Sequence, residues 1–181
     1  MPDPFISTVD LIDYLGRGGT ADAGLLIAVD AACDTVRTFA ERDFNQVIGG
    51  SAVLDGSGTD CLLLPQLPVT AAGTVTVNGG TVTDYVLNGN GMLYRGTAGI
   101  DPRPVWPAGR QNIRVTYDHG YADQDIPRDI RMVALSLAAR LAVQGPAVEE
   151  NIGNVSVKYA GPPMDLTSTE KLILRKYRPT R

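Results

Sequence analysis

Apolar residues recur along this chain at two different spacings, and the points where the spacing changes divide it into segments. In "STVDLIDYLG" the pattern predicts a short helix: Ser7 or Thr8 caps its first turn, Val9, Ile12 and Leu15 share a face, and Gly16 stops it. "GRGGT" then reads as a flexible link. From Ala21 to Asp43 the positions Leu25, Ile27, Val29, Ala32, Val36, Phe39 and Ala40 recur near helical spacing, with Asp30, Asp34, Arg37 and Glu41 largely filling the rest. That is a long amphipathic helix. After Phe44 helix-length patterns vanish. "SAVL", "CLLL", "VTAAGTVTV", "DYVLN", "GMLYR" and "NIRVTY" are short strand candidates, separated by "DGSGTD", "PQLP", "NGG", "NGNG" and "DPRPVWPAG". "VNGG" between "TVTV" and "TVTDYVL" is the best hairpin signal, and Trp106 is expected to pin the proline-rich loop.

Helical spacing returns at "IPRDIRMVALSLAARLAVQG". Pro127 suits the first helical position, Asp125 precedes it and Asp129 falls in the first turn, where the helix dipole favours acids. Ile130, Val133, Ala134, Leu137, Ala138 and Leu141 form the stripe to be buried, and Gly145–Pro146 ends the helix. "NVSVKYAGPP" alternates like one more strand. In "LTSTEKLILRKYRPTR", Thr167 and Glu170 make a capping box ahead of a short basic helix. The expected fold class is α+β: an α-helical bundle with a small antiparallel β subdomain inserted into it. The bundle takes its N-terminal helices from residues 1–47, a long helix near 127–143 within 120–146, and a C-terminal helix in 167–181. The β-rich insertion covers 48–119, and 147–166 is a strand or loop connection. No internal repeat is visible.

Composition narrows the function classes. A chain of 181 residues with 44% hydrophobic content has room for a real core and is not wholesale disordered. No stretch approaches the ~20 unbroken apolar residues of a membrane span, and "MPDPFISTVD" lacks the basic and apolar regions of a signal peptide. Cys33 and Cys61 are too few for a disulfide framework and read as reduced packing thiols of a cytoplasmic product. The net charge of −4 is mild but uneven. Residues 1–50 hold eight acids against three bases, whereas from Glu170 onward five bases accompany one acid. This argues against a general nucleic-acid binder, whose bases form a stripe or groove. The basic tail either meets something negative or is simply solvated.

Candidate chemistry is sparse. The lone His119, in "VTYDHGYADQDIP", would need a nucleophile or metal and an orienting group to act catalytically. Asp118 is its neighbour, but adjacent strand residues point to opposite faces. Gly120 can take positive φ, so "DHGY" is expected to be a turn between the last insertion strand and the long helix. "DGSGTD", Asp55 to Asp60, resembles part of a calcium loop without the distal glutamate or the full ligand count. A hairpin tip explains it without a metal. "GRGG" and "GNG" lack the lysine and hydroxyl of a phosphate loop. Glu149 and Glu150 read as solvated loop acids. No catalytic residue, metal site or cofactor is expected, and the protein is expected not to be an enzyme.

Taken in order, the segments resemble a known family, the head-to-tail connector or adaptor proteins of long-tailed bacteriophages. The likeness rests on "STVDLIDYLG", on a second helix ending "VRTFAERDF", and on the insertion holding "LPQLPVTAAGTVTVNG", "DYVLNGNGMLYR" and "WPAGRQNIRVTYDHGY". "IPRDIRMVALSLAARL", "NIGNVSVKYA" and "LTSTEKLILRKYR" follow. It covers nearly the whole chain, through motifs that are individually short. The resemblance implies a structural virion protein in the neck between capsid and tail, assembled in the host cytoplasm. Such proteins form a ring, commonly a dodecamer, under the portal protein. The ring extends the DNA channel and offers a platform to a stopper or tail-completion protein. DNA would pass through the lumen without specific binding, and no membrane is involved.

Carried onto this sequence, the portal-binding segment is Thr167 to Arg181. It includes Thr167 and Glu170, with Leu172, Leu174 and Tyr177 as apolar anchors and Arg175, Lys176 and Arg178 as charged partners. A capped helix this short is not stable alone, so it either docks on a partner or packs on its own helices. Since a sliding channel should repel phosphate, Asp30, Asp34 and Glu41 are candidate lumen-facing acids. Two other readings compete: a non-enzymatic β-rich binding module on a helical stalk, gripping its target through "DPRPVWPAG", and a small hydrolase using His119.

Overall fold

The computed structural model describes residues 3–16, 18–99, 104–143, 149–152, 155–158 and 165–179, with only backbone pairing described for 149–152 and 155–158. The chain divides into two compact units. One is made of Met1–Arg42 with Ile126–Thr180, the other of Asp43–Asp125. The fold is mixed α+β.

The first unit is helical. Helix α1 (Thr8–Leu15) starts from a capping box in which the Asp10 N–H donates to Ser7 Oγ and the Ser7 N–H donates to the Asp10 carboxylate. It buries Leu11, while Val9 stays 62% exposed. Of the expected face of Val9, Ile12 and Leu15, the last two are half-buried beside Leu11 and only Val9 lies on the open side: apolar residues lie on both sides of this helix, so spacing alone does not select which side is covered. Helix α2 (Ala23–Ala40) is capped by Asp22, whose carboxylate accepts from the Leu25 N–H. It ends at Glu41, held in the left-handed region at φ 53°. Ala28, Val29, Ala32, Cys33, Val36 and Ala40 are buried, but the expected core position Ile27 is 67% exposed.

Helix α3 (Arg128–Val143) buries Ile130, Val133, Ala134, Leu137 and Ala138 of the stripe its sequence predicts and leaves Leu141 half-buried, and the Ile130 N–H donates to the Pro127 carbonyl. The expected stop at Gly145–Pro146 lies outside the described residues. Helix α4 (Ser168–Arg175) packs on α2 and α3. Between α3 and α4 the backbone forms a two-stranded antiparallel sheet. Its strands take the labels β8 (Glu149–Ile152) and β9 (Val155–Lys158) in chain order. Glu149 and Glu150 thus belong to a strand rather than a loop; without apolar alternation the acids gave no strand signal.

The second unit is two antiparallel sheets around one core. In the first, strand order is β1 (Val47–Gly56), β7 (Gly109–His119), β3 (Val69–Val77) and β4 (Gly80–Val82). In the second it is β2 (Cys61–Leu63), β6 (Met92–Arg95) and β5 (Tyr85–Leu87). The hairpin signal in "VNGG" is realised between β3 and β4, with Val77 opposite Gly80. Asn78 and Gly79 both take positive φ (50° and 82°), as a two-residue primed turn demands. "DGSGTD" is not a hairpin tip. It carries the chain from β1, paired with β7, to β2, paired with β6, so its ends belong to different sheets.

Trp106 closes the core. Its ring is fully buried with Leu62, Leu93, Ile113, Val115 and Tyr117, and its indole N–H donates to the Leu93 carbonyl at 3.0 Å. Its backbone N–H donates to Thr59 O, and its carbonyl accepts from the Gly58 N–H. The proline-rich loop is therefore pinned, as its lone tryptophan suggests.

Candidate functional site

Helix α4 is built into its own unit through polar contacts. Thr167 caps it, with its N–H donating to Glu170 Oε2 at 2.8 Å while the Glu170 N–H donates to Thr167 Oγ1. The same carboxylate meets Arg140 of α3 as a bidentate pair, Nη1 to Oε1 at 2.9 Å and Nη2 to Oε2 at 3.0 Å. Arg140 donates further to Ser136 Oγ and to the Asp165 carbonyl, so the guanidinium ties the approach to α4 as well as its first turn. Burial alone raises the Glu170 carboxyl. Arg140 and the Thr167 N–H and hydroxyl overcome it and hold the carboxyl at about 2.

The far end of α4 is fastened similarly. Tyr177 Oη donates to Asp129 Oδ1 at 2.8 Å and Lys176 Nζ reaches Asp129 Oδ2 at 3.1 Å. Burial pushes the Asp129 carboxyl up, but these two donors and the Ile130 N–H bring it below its usual range. Arg178 pairs with Glu41 and lies over the Phe39 ring, 5.7 Å from its centroid.

These contacts sort the eight residues expected to meet a portal. Thr167, Glu170, Lys176, Tyr177 and Arg178 all contact other parts of the protomer, and Leu174 is fully buried. Leu172, 66% exposed, and Arg175 face outward. Sequence reading found Glu170 through its capping box but missed Arg140, whose partner lies 30 residues away along the chain. The one hint was a base on a helix otherwise apolar in that stretch. Among the three expected lumen acids, Asp34 pairs with Arg37 at 3.0 Å and Glu41 with Arg178, whereas Asp30 makes no ion pair among the described residues.

His119 is not a turn residue. It ends β7 and continues the buried stripe Ile113, Val115, Tyr117, its ring centroid 5.1 Å from that of Tyr117. It is 7% exposed, and its Nδ1 has no hydrogen-bond partner among the described residues. Burial lowers its pKa, against the raising effect of Asp43 and Asp118, so the ring is neutral and part of the core. The next residue makes the turn. Gly120 sits at φ 86°, and a Cβ there would lie 2.1 Å from the Asn45 carbonyl oxygen.

Cys33 is buried in α2, and burial pushes its thiol up, which fits a packing residue. Among the described residues no group of three His, Cys, Asp or Glu side chains could hold a metal ion, and no helix is long and apolar enough to cross a membrane. In "DGSGTD" the Asp55 carboxylate accepts from the Gln111 N–H, and Ser57 and Thr59 donate to the Cys61 carbonyl, which are loop-closing bonds. With Trp106 buried, "DPRPVWPAG" offers no aromatic grip, though Val105 is exposed.

Neither a protein-family model nor a curated protein sequence matches the chain. Solved structures do. A chain in the neck of a native gene transfer agent (GTA) particle, determined with C12 symmetry, superposes with a TM-score of 0.61 at 15% identity, over 96% of this chain and 88% of that one. A chain in the neck of an empty GTA particle, with C6 symmetry, gives 0.60 at 16% identity, over 97% and 90%. The fold is shared with neck chains. A third match, in the virion of a native gene transfer agent particle, reaches 0.61 at 18% identity over 100% of this chain and 94% of that one. The likeness therefore takes in the β insertion as well as the helices.

Proposed function

We propose that this protein is a structural component of the neck of a phage-type particle, forming a ring under the portal that extends the DNA channel and receives a stopper or tail-completion protein. The observation that carries this reading is the shared fold with chains of GTA necks over nearly the full length of both partners. The C6 and C12 symmetries of those necks fit assembly into a ring, and the resemblance read from sequence leads independently to the same class of protein. The role is mechanical: DNA passes without specific binding, and no bond is made or broken. The buried, neutral His119 and the loop-closing bonds of "DGSGTD" fit that reading.

The portal-facing surface lies on the C-terminal segment. Leu172 and Arg175 supply the outward contact, and Glu170, Leu174 and Tyr177 hold the helix that presents them. Asp34 and Glu41 are paired within the protomer, which leaves Asp30 as the candidate lumen-facing acid of the three. Negative-stain imaging of the purified protein, with and without the portal of the same particle, tests the reading. Rings, alone or on portal addition, are expected; a monomer that leaves portal rings bare overturns it.

A further inference from the structure

An antiparallel sheet with one face in water alternates apolar and polar residues along its strands. The second sheet of the β unit does not. Its inward positions Leu62, Leu93 and Leu87 stand side by side against the core. The outward positions are Cys61, Tyr94 and Val86 in one row, with Leu63 and Met92 in another. None of the five is charged. Leu63 is 49% exposed and Val86 38%, while Cys61, Met92 and Tyr94 are half-buried. The Tyr94 hydroxyl is turned back on Met92, donating to its Sδ at 3.4 Å. A sheet that is apolar on both faces is one that is covered on both.

The surface that would cover it must be flat and apolar, and the chain carries one. Strands β8 and β9 form a sheet of only two strands, which is marginal in water unless its apolar side packs on something. Their register sets Ile152 opposite Val155 and Glu150 opposite Val157. Three of the four positions on that face are therefore apolar and β-branched, and the acid lies at the end away from the β8–β9 connection. The other face is polar throughout, with Asn151 opposite Ser156 and Glu149 opposite Lys158. Strands β6, β8 and β9 are each four residues long, or about 13 Å, so the two patches match in length. Leu63 and Val86 stay open within the protomer, so their cover comes from another copy.

We infer that the apolar face of β8 and β9 on one copy packs on the outer face of β2, β6 and β5 on the next. The inference rests on the neck reading for its ring, and adds which surfaces join the copies. Two unlike surfaces give a head-to-tail contact, which closes into a ring when the rotation between copies permits. Sheets packed face to face hide both apolar sides at once, and the two-stranded sheet gains the support it lacks alone.

The protein carries its own reporter for this contact, because Cys61 stands on the open face while Cys33 is buried. Ile152→Cys, Val155→Cys and Val157→Cys, each in the full-length protein, place a second thiol on the face that would meet it. Rings formed alone or on portal addition are mildly oxidised and run on a denaturing, non-reducing gel. At least one of the three is expected to give a ladder of linked chains, which Cys61→Ser abolishes. Ser156→Cys, on the polar face, is expected to give none. Rings in which none of the three links to Cys61, a link closed within one chain, or equal linking by Ser156→Cys overturns the packing and leaves the neck reading standing. Leu63→Asp, at an exposed position that keeps the wild-type circular dichroism spectrum, is expected to need at least about tenfold more protein to assemble in sedimentation velocity. Assembly of that variant at wild-type concentrations overturns the contact. Wild type that stays monomeric with and without portal overturns both readings.

Discussion

The proline-rich loop of the β unit and the last helix of the helical unit are each short segments held down by one central residue, but by opposite means. Trp106 holds its loop by burying an indole and satisfying its one donor on Leu93 O. Arg140 holds α4 by a bidentate ion pair to a carboxylate that is itself largely buried. An apolar fastening contributes in proportion to the area removed from water and is indifferent to pH. An ionic one must offset desolvation of both charges, so it is worth little more than a good apolar contact while whole, yet its loss is costly when one partner goes. The β unit is therefore expected to answer to side-chain volume and the end of α4 to charge.

Truncating the indole is the heaviest blow to this contrast. Trp106→Ala is expected to destabilise the protein by about 3–5 kcal/mol, read as a lowered denaturant midpoint, with no dependence on pH or salt. Arg140→Met is expected to cost about 3 kcal/mol by stranding Glu170, and Arg140→Met with Glu170→Leu to recover most of it; failure of the double variant to recover would put the fastening in the apolar contacts of Leu174 instead. The acid limb sharpens this. Since the folded Glu170 carboxyl sits at about 2, below its unfolded value, its contribution is complete above about 4.5 and is lost as pH falls toward 2. Wild type and the double variant should therefore converge in stability over that window.

Gly120→Ala, forced into a left-handed backbone against the Asn45 carbonyl, is expected to cost about 2 kcal/mol, measured by thermal unfolding. His119 gives a smaller effect of definite sign. With its folded pKa depressed by burial, the unfolded chain binds the extra proton, so stability falls as pH drops below about 6.5. His119→Leu is expected to flatten that slope. Least of all, Leu172→Ser is expected to change stability by less than about 0.5 kcal/mol while weakening attachment to portal rings in a pull-down.

The buried stripe of α3 was legible because Ile130, Val133, Ala134, Leu137 and Ala138 all fall on one side at a steady period. The hairpin at Asn78–Gly79 was legible because few residue pairs tolerate two consecutive positive φ values. Val9 and Ile27 were misplaced for a physical reason: on helices that carry apolar residues on their polar side as well, periodicity gives the elements but not the side that a partner covers. His119 looked like part of a turn beside Gly120, and only the alternation through Tyr117 shows that it belongs to the inward face of β7. Crossings between sheets, as at "DGSGTD", and ion pairs such as Arg140–Glu170 depend on residues far apart in sequence, which no local pattern records.

The helical unit is discontinuous along the polypeptide: Arg42 and Ile126 flank a unit that is contiguous. During synthesis α1 and α2 leave the ribosome well before α3, the helix that covers their apolar stripe, exists at all. The sheets can close meanwhile, since every strand they need has already been made. The helical unit is thus completed late, when Arg140 and Glu170 finally meet, after the whole β unit between its two pieces has been made.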